Sequence, residues 1–264
     1  FQPRDKRLER FLAAIFLGAG YKMNANLLRS NRRGQRAQHQ YSQRDPANRL
    51  LARGSRYRLQ AEFLRDNALF LSGLLVDKMG GPGVKPYQPE GLWKEILQGG
   101  DRPFVQDKGE SLYRRSIYTF WRRTCAPPNM LLFDAPTREK CIAQRARTNT
   151  PLQALVTLND VQYVEAARHL AERMIAQAGP RAQDRIAWGF RLATSRTIEE
   201  RELAILLRVY EDSEEKYRED SEAAVKLLSA GELSRDESLD SAEHAALTIV
   251  ASMILNLDET LSRE

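Results

Sequence analysis

The chain has only two cysteines and three histidines in 264 residues, and that scarcity sets the first limits on its chemistry. Cys125 and Cys141 allow at most one disulfide, and their separation of sixteen residues fits neither a C-x-x-C redox pair nor a haem-attachment motif. A disulfide across the intervening loop and two free thiols both remain open. His39, His169 and His244 are scattered. None has a second His or Cys one helical turn away, so no zinc spacing exists and no metal site is expected. There is no G-x-S-x-G and no HExxH. The run Gly80-Gly81-Pro82-Gly83 has the glycine content of a phosphate loop but not its context. A phosphate loop follows a strand and opens a helix with GK[ST]; here a helical pattern precedes and Val84-Lys85-Pro86-Tyr87 follows. No apolar run approaches the roughly 18 residues that span a bilayer; the best stretch is Phe11 to Leu17. Because the first residue is Phe1, the chain reads as a processed product or a fragment, and the lack of a leader says nothing about export.

What is present is an ordinary globular balance, 42% apolar and 29% charged, with a length suited to one large domain or two small ones. The net charge of +6 is uneven: residues 1–66 carry fifteen Lys/Arg against five Asp/Glu, and residues 197–239 carry six against thirteen. The basic end lacks an RNA-binding aromatic signature or a zinc-finger pattern, which speaks against nucleic acid. The simpler expectation is that the basic and acidic parts face each other within one fold.

Apolar spacing of three and four residues recurs along the chain and predicts helices. Leu8, Phe11, Leu12, Ile15 and Phe16 predict the first, followed by a polar loop over 29–44. Asp45-Pro46 starts a short helix that stops near Gly54. A longer one is expected over about Arg58 to Lys78, and another around Leu92, Trp93 and Ile96. Ser111 to Arg123 is assigned to helix over strand because its alternation is not strict. Residues 124–137 form an irregular connector. Thr150-Pro151 begins a helix to about Asn159, and Asp160 caps the next, which closes at Gly179-Pro180. Further helices are expected at 181–194, at 197 to about 229 with a break near Asp220-Ser221, and at 240–262. Thr197 with Glu200 is read as a capping box. No strong strand pattern and no solenoid repeat is visible. The class is all-α, an irregular multi-helix domain with long polar loops.

The densest polar stretch is Phe133 to Asp160. Asp134, Arg138, Glu139, Arg145, Arg147, Asn149, Asn159 and Asp160 crowd a short apolar run there. These eight residues form a candidate anion site or a structural polar cluster. Arginine forks suit a sulfated or carboxylated sugar. The simpler expectation is a buried salt-bridge network that fixes loop 124–150, since unpaired buried charge is costly. Arg58, Glu62, Arg65 and Asp66 are candidate ion pairs on one helix. The Glu62 and Asp66 carboxylates have the i, i+4 spacing that could also serve acid–base work.

Several blocks together resemble a known bacterial family. They are Asp45-Pro46 to Leu51, RLQAEFLRD from Arg58, GPGVKPYQPEGLW from Gly81, SLYRRSIYTFWRR from Ser111, FDAPTREKC from Phe133, RTNTPLQALVTLND from Arg147, and the final LNLDETLSRE. The set resembles the planctomycete-specific C-terminal domain catalogued as domain of unknown function fifteen-fifty-three, over about residues 45–264. Residues 1–44 match more loosely and are set apart as a partial N-terminal helical segment with a basic loop.

The resemblance implies context and no catalytic residue. Members lie in large exported proteins, periplasmic or at the cell surface, with companion domains and often a cytochrome-c-type haem domain. Their genes are often near polysaccharide-degrading functions. It implies no cofactor in this chain, with haem confined to another domain of the full-length protein. The expected partners are companion domains of the same polypeptide, and polysaccharide. The expected function is a non-catalytic assembly or interaction module. The alternative is a carbohydrate-active or electron-transfer-associated enzyme domain with an arginine-rich anion site.

Overall fold

The computed structural model describes residues 44–46, 49–50, 57–89, 91–93 and 104–263. The chain divides into two compact units, Leu59–Asn256 and Phe1–Arg58 together with Leu257–Glu264. The expected helix at residues 8–17, the loop at 29–43 and the juxtaposition of the basic end with the acidic segment lie outside the described residues. So does most of the helix predicted after Asp45, although the Asp45 carboxylate accepts a hydrogen bond from the Leu50 N–H.

The larger unit is helical, as expected. Its elements are α1 (Ala61–Ser72), α2 (Pro128–Leu132), α3 (Pro151–Asn159), α4 (Val161–Gln177), α5 (Ala182–Thr194), α6 (Glu200–Glu219), α7 (Ser221–Leu228) and α8 (Ser241–Leu255). In the smaller unit, α9 (Asp258–Leu261) leads into β2 (Ser262–Arg263). β2 pairs antiparallel with β1 (Tyr57–Arg58), Tyr57 opposite Arg263 and Arg58 opposite Ser262.

The centre of the larger unit is α8. Its sequence, SAEHAALTIVASMIL, is apolar nearly all round, and a helix of that kind must be covered on every side. It packs against α3, α4, α5, α6 and α7. Ala245, Ala246, Leu247, Val250, Ala251 and Ile254 have no exposed surface, and the alanines let neighbouring helices come close. α4 forms the second layer, with Ala166, Ala167, Leu170, Ala171 and Met174 buried at helical spacing, and α1 packs on it.

Local chemistry sets most helix ends where the sequence places them. Thr150 caps α3 in a box closed by Gln153. The Asp160 carboxylate accepts from the Gln162 N–H to start α4. Asp220 ends α6 and caps α7, which is the expected break. Four expectations are corrected. The predicted 58–78 helix closes at Gly73, whose φ of 81° turns the backbone left-handed and returns its N–H to Phe70. Arg173 of α4 donates to the exposed carbonyls of Phe70 and Leu71 at that end. The capping box before α6 is Glu199 with Glu202, two residues later than Thr197 and Glu200. The connector 124–137 contains α2, begun by Pro128 at its first turn.

The fourth correction is Ser111–Arg123, which is not an α-helix. It forms two short 3-10 turns, Gly109–Tyr113 and Ser116–Tyr118. Extended residues around them bridge Val76 to Arg114 and Val84 to Thr119. The reason is tertiary. Arg65 reaches the carbonyls of Leu112 and Arg114 and the Ser116 hydroxyl, while Asp66 accepts the Ser116 N–H at 2.7 Å. A regular helix would have used the same backbone groups internally.

Candidate functional site

The eight residues singled out between Asp134 and Asp160 do not converge on one buried centre. Arg138, Glu139, Arg147, Asn149 and Asn159 are exposed; Asp134, Arg145 and Asp160 are half-buried. Asp134 accepts from the N–H and hydroxyl of Thr148 at 2.7 and 2.9 Å. Arg138 stacks over Trp121 at 4.6 Å. The Glu139 N–H donates to the Thr137 hydroxyl. Arg147 and Asn149 also have partners. Asn159 donates to the Leu155 carbonyl one turn back. Asp160 holds the start of α4 and accepts from Asn129; burial pushes its carboxyl above the usual carboxylate range.

The expected buried salt-bridge network is therefore corrected to a surface lattice of mostly backbone and hydroxyl hydrogen bonds. Residues 137–149 hold too few apolar side chains to cover their charges, and the largest, Ile142, is itself half exposed. Arg145 of this stretch pairs with Glu62 of α1 at 2.7 Å. The predicted helix pairs are likewise regrouped. Glu62 looks to Arg145, and Arg58 lies in β1; Arg65 keeps Asp66 at 3.9 Å but also reaches carbonyls and the Gln162 amide. Cys125 is buried and Cys141 exposed, and the two are not bonded.

The deepest polar centre was not singled out in the sequence. Glu165 of α4 is 1% exposed at its side chain. Its carboxylate accepts from the hydroxyls of Tyr87 and Tyr113 at 3.0 and 2.9 Å and from the N–H groups of Glu232 and Leu233 at 2.8 and 3.0 Å. Arg168, one turn on and fully buried, donates to the Leu233 carbonyl at 2.6 Å and sits 3.9 Å from Glu165. The turn at 231–233 can present both N–H groups only because Gly231 has φ of 98° and no side chain. A Cβ there would lie 2.2 Å from the Glu165 carboxyl carbon.

Burial and the Glu165 charge push the Tyr87 hydroxyl up to about 12 and that of Tyr113 higher still. Both tyrosines therefore remain hydrogen-bond donors at neutral pH. The arrangement clamps segment 229–240 onto α4.

Next to this clamp the structure gathers two of the three histidines. Glu172 receives the His169 Nδ1 at 2.8 Å and Arg168 at 3.3 Å, with the His244 Nε2 at 3.6 Å. Burial alone pushes the Glu172 carboxyl up, but the His169 hydrogen bond and the charges of His169, Arg168 and His244 outweigh it and hold the group low. The signal was available in the sequence: Glu165, Arg168 and Glu172 lie at i, i+3 and i+7 among the alanines and leucine of α4's apolar face. Among the described residues, no group of three or more His, Cys, Asp or Glu is placed to hold a metal ion. No helix among them is long and apolar enough to cross a membrane.

A second arginine hub joins loops in the same way. Arg114 donates to the carbonyls of Lys78, Gly80 and Pro82 and lies 3.9 Å over the Tyr118 ring. The Gly80–Gly83 turn is thus closed around a guanidinium of the protein itself.

A family model described as "Protein of unknown function (DUF1553)", PSD1, matches residues 3–210. The chain belongs to this family. The match begins well before residue 45, where the recognised sequence blocks start, and it stops before the last of them. Searches of curated proteins and of solved structures return no match. Within the DUF1553 match lie α1 to α5, most of α6, the Arg65 and Arg114 hubs, and the Glu165 clamp apart from its Gly231–Leu233 turn.

Proposed function

We propose that this chain is a non-catalytic helical interaction module of a larger exported bacterial protein of the planctomycete, cytochrome-c-linked type, acting in assembly of polysaccharide-related or redox complexes. The observation that carries this reading is how the buried charges are used. Arg65, Arg114, Glu165 and Arg168 are all bonded to backbone or to one another, and what they hold together is loops. Exposed apolar side chains lie instead on the adjoining helices α2 and α3: Leu131, Leu132, Leu152 and Leu155. Such a face suits contact with another folded domain. Companion domains of the same polypeptide are the partners this reading favours, with haem on one of them and none here.

The test is calorimetric titration of the purified chain with the separately produced companion domains. Binding is expected, and Leu152→Asp with Leu155→Asp weakens it at least tenfold while circular dichroism stays unchanged. Turnover by the purified chain on any member of a broad glycan panel overturns the non-catalytic reading.

A second reading is favoured by the exposed cations Arg138, Lys140 and Arg147, with Trp121 beside the first. It makes residues 137–149 an anion site for a sulfated or carboxylated glycan, in a carbohydrate-active or electron-transfer-associated domain. Salt-sensitive binding of dextran sulfate, absent for neutral dextran and lost in Arg138→Ala, is its signature. Equal indifference to both polymers removes it.

A further inference from the structure

Beside the Glu165 clamp, His244 is buried with an incomplete set of hydrogen bonds. Its imidazole has no exposed surface. Nε2 lies 3.4 Å from the Arg168 carbonyl and 3.6 Å from a Glu172 oxygen. Nδ1 has no hydrogen-bond acceptor among the described residues. A neutral ring tolerates this, because its proton can stay on Nε2. An imidazolium carries a proton on both nitrogens. Protonation would place a buried N–H with nothing to receive it, and a buried cation beside the Arg168 guanidinium.

The surroundings decide how that stress is relieved. From α4 the ring is faced by Arg168, His169 and Glu172. From segment 231–240 it is faced by Asp236, whose carboxylate feels its charge. On α8 itself Glu243 is already taken by Arg185 of α5, with Tyr210 of α6 beside that pair. α7 meets α8 through Ala224 and Leu228 packed on Ala245, and α3 meets it through Thr157 bonded to Asn256 just past the helix end. The nearest anion is thus Glu172, which also receives Arg168.

We propose that His244 triggers an acid-operated latch: on protonation it takes Glu172 from Arg168 and releases segment 229–240 from α4. Arg168 is the shared part. One of its terminal nitrogens meets Glu172 and the other meets the Leu233 carbonyl, so repulsion from a new cation at His244 loosens both. Among the described residues, the turn at 231–233 then rests on Glu165 and Tyr87. Opening it frees the N–H groups of residues 232 and 233 from Glu165 and Tyr87, next to the already exposed Leu233. The module would thereby gain an edge at low pH that is closed at neutral pH. Burial pushes the His244 imidazole below its ordinary value, with only partial compensation from the Arg168 carbonyl and Glu172. Opening therefore falls below about pH 6.5, the unperturbed histidine value. The inference does not depend on which partner the module binds.

Hydrogen–deuterium exchange on the whole chain between pH 7.5 and 4.5, corrected for the intrinsic pH dependence of exchange, tests it. Peptides covering 229–240 should lose protection about tenfold to a hundredfold in the acid range, the size expected for one buried unsatisfied donor. Peptides of α6 should remain protected. His244→Gln should abolish the transition, and His169→Gln should leave it in place. A wild-type segment indifferent to pH, simultaneous opening of α6, or an unchanged transition in His244→Gln would each overturn the latch. Should His244→Gln not fold, ring signals of His244 followed by NMR decide. Loss of protection must track its protonation, and a mismatch overturns the proposal.

Discussion

Replacing Gly231 by alanine isolates the Glu165 clamp. Two costs arise at that position. The backbone φ of 98° is one that L side chains rarely adopt, worth about 1–2 kcal/mol. The new Cβ would lie 2.2 Å from the Glu165 carboxyl carbon and 2.6 Å from its Cγ. Glu165 is not a flexible surface chain that can swing aside, because four donors hold it and its side chain is 1% exposed. It must move and lose some of those bonds, or the 231–233 turn must lift off α4. Disrupting a buried, hydrogen-bonded charge typically costs about 3–5 kcal/mol. Gly231→Ala should therefore destabilise by about 4–7 kcal/mol, within reach of the whole stability of a domain this size.

Gly109→Ala is the control. Its φ of 59° carries the same backbone cost, but nothing lies within 4 Å of the added Cβ, so only about 1–2 kcal/mol is expected. Urea denaturation followed by circular dichroism measures both. If Gly231→Ala costs no more than Gly109→Ala, Glu165 is not clamped as described and the argument from close approach fails.

Other perturbations test the remaining parts. Arg65→Lys keeps the charge but cannot span the Leu112, Arg114 and Ser116 acceptors together; a loss of about 2–4 kcal/mol in urea titration is expected, as for a broken buried network. Arg145→Ala breaks a pair whose side chains are 30% and 20% exposed, so a double-mutant cycle with Glu62→Ala should return at most about 1 kcal/mol. Asp160→Ala removes the cap of α4 and should cost about 1 kcal/mol in the same titration. At alkaline pH the unfolded chain ionises its tyrosines near 10, while the folded Tyr87 holds its proton to about 12. The stabilisation is thus fully present below pH 10 and is lost as pH rises through 12, and Tyr87→Phe should reduce that alkaline loss of stability measured by urea titration.

Several helix starts were legible because the deciding groups are close in sequence. Thr150 with Pro151, Asp160 and Asp220 each satisfy N–H groups within three residues of themselves, so their role is written in the local order of the chain. Ser111–Arg123 misled for the opposite reason. Tyr113, Ile117, Phe120 and Trp121 do have helical spacing, but Arg65, some fifty residues away, takes the carbonyls a helix would need. The polar stretch after Asp134 misled in another way. Charge density is visible in a sequence, whereas burial is a property of what else arrives to cover the charge, and among the described residues little covers 137–149.

By itself the sequence determined that the protein is helical, that Asp160 and Asp220 punctuate it where they do, that its last helix carries a broad apolar face that must be buried, and that it carries most of the blocks of its family. These follow from periodicity and from bonds that span a single turn. Only the tertiary structure decided that Glu165, Arg168, Glu172 and His244 meet. Their partners come from residues 87, 113 and 231–233 and from α8, and no spacing rule connects groups that distant along the chain. The physical reason is desolvation: once α4 and α8 exclude water, each buried polar group must find whichever partner the packing delivers.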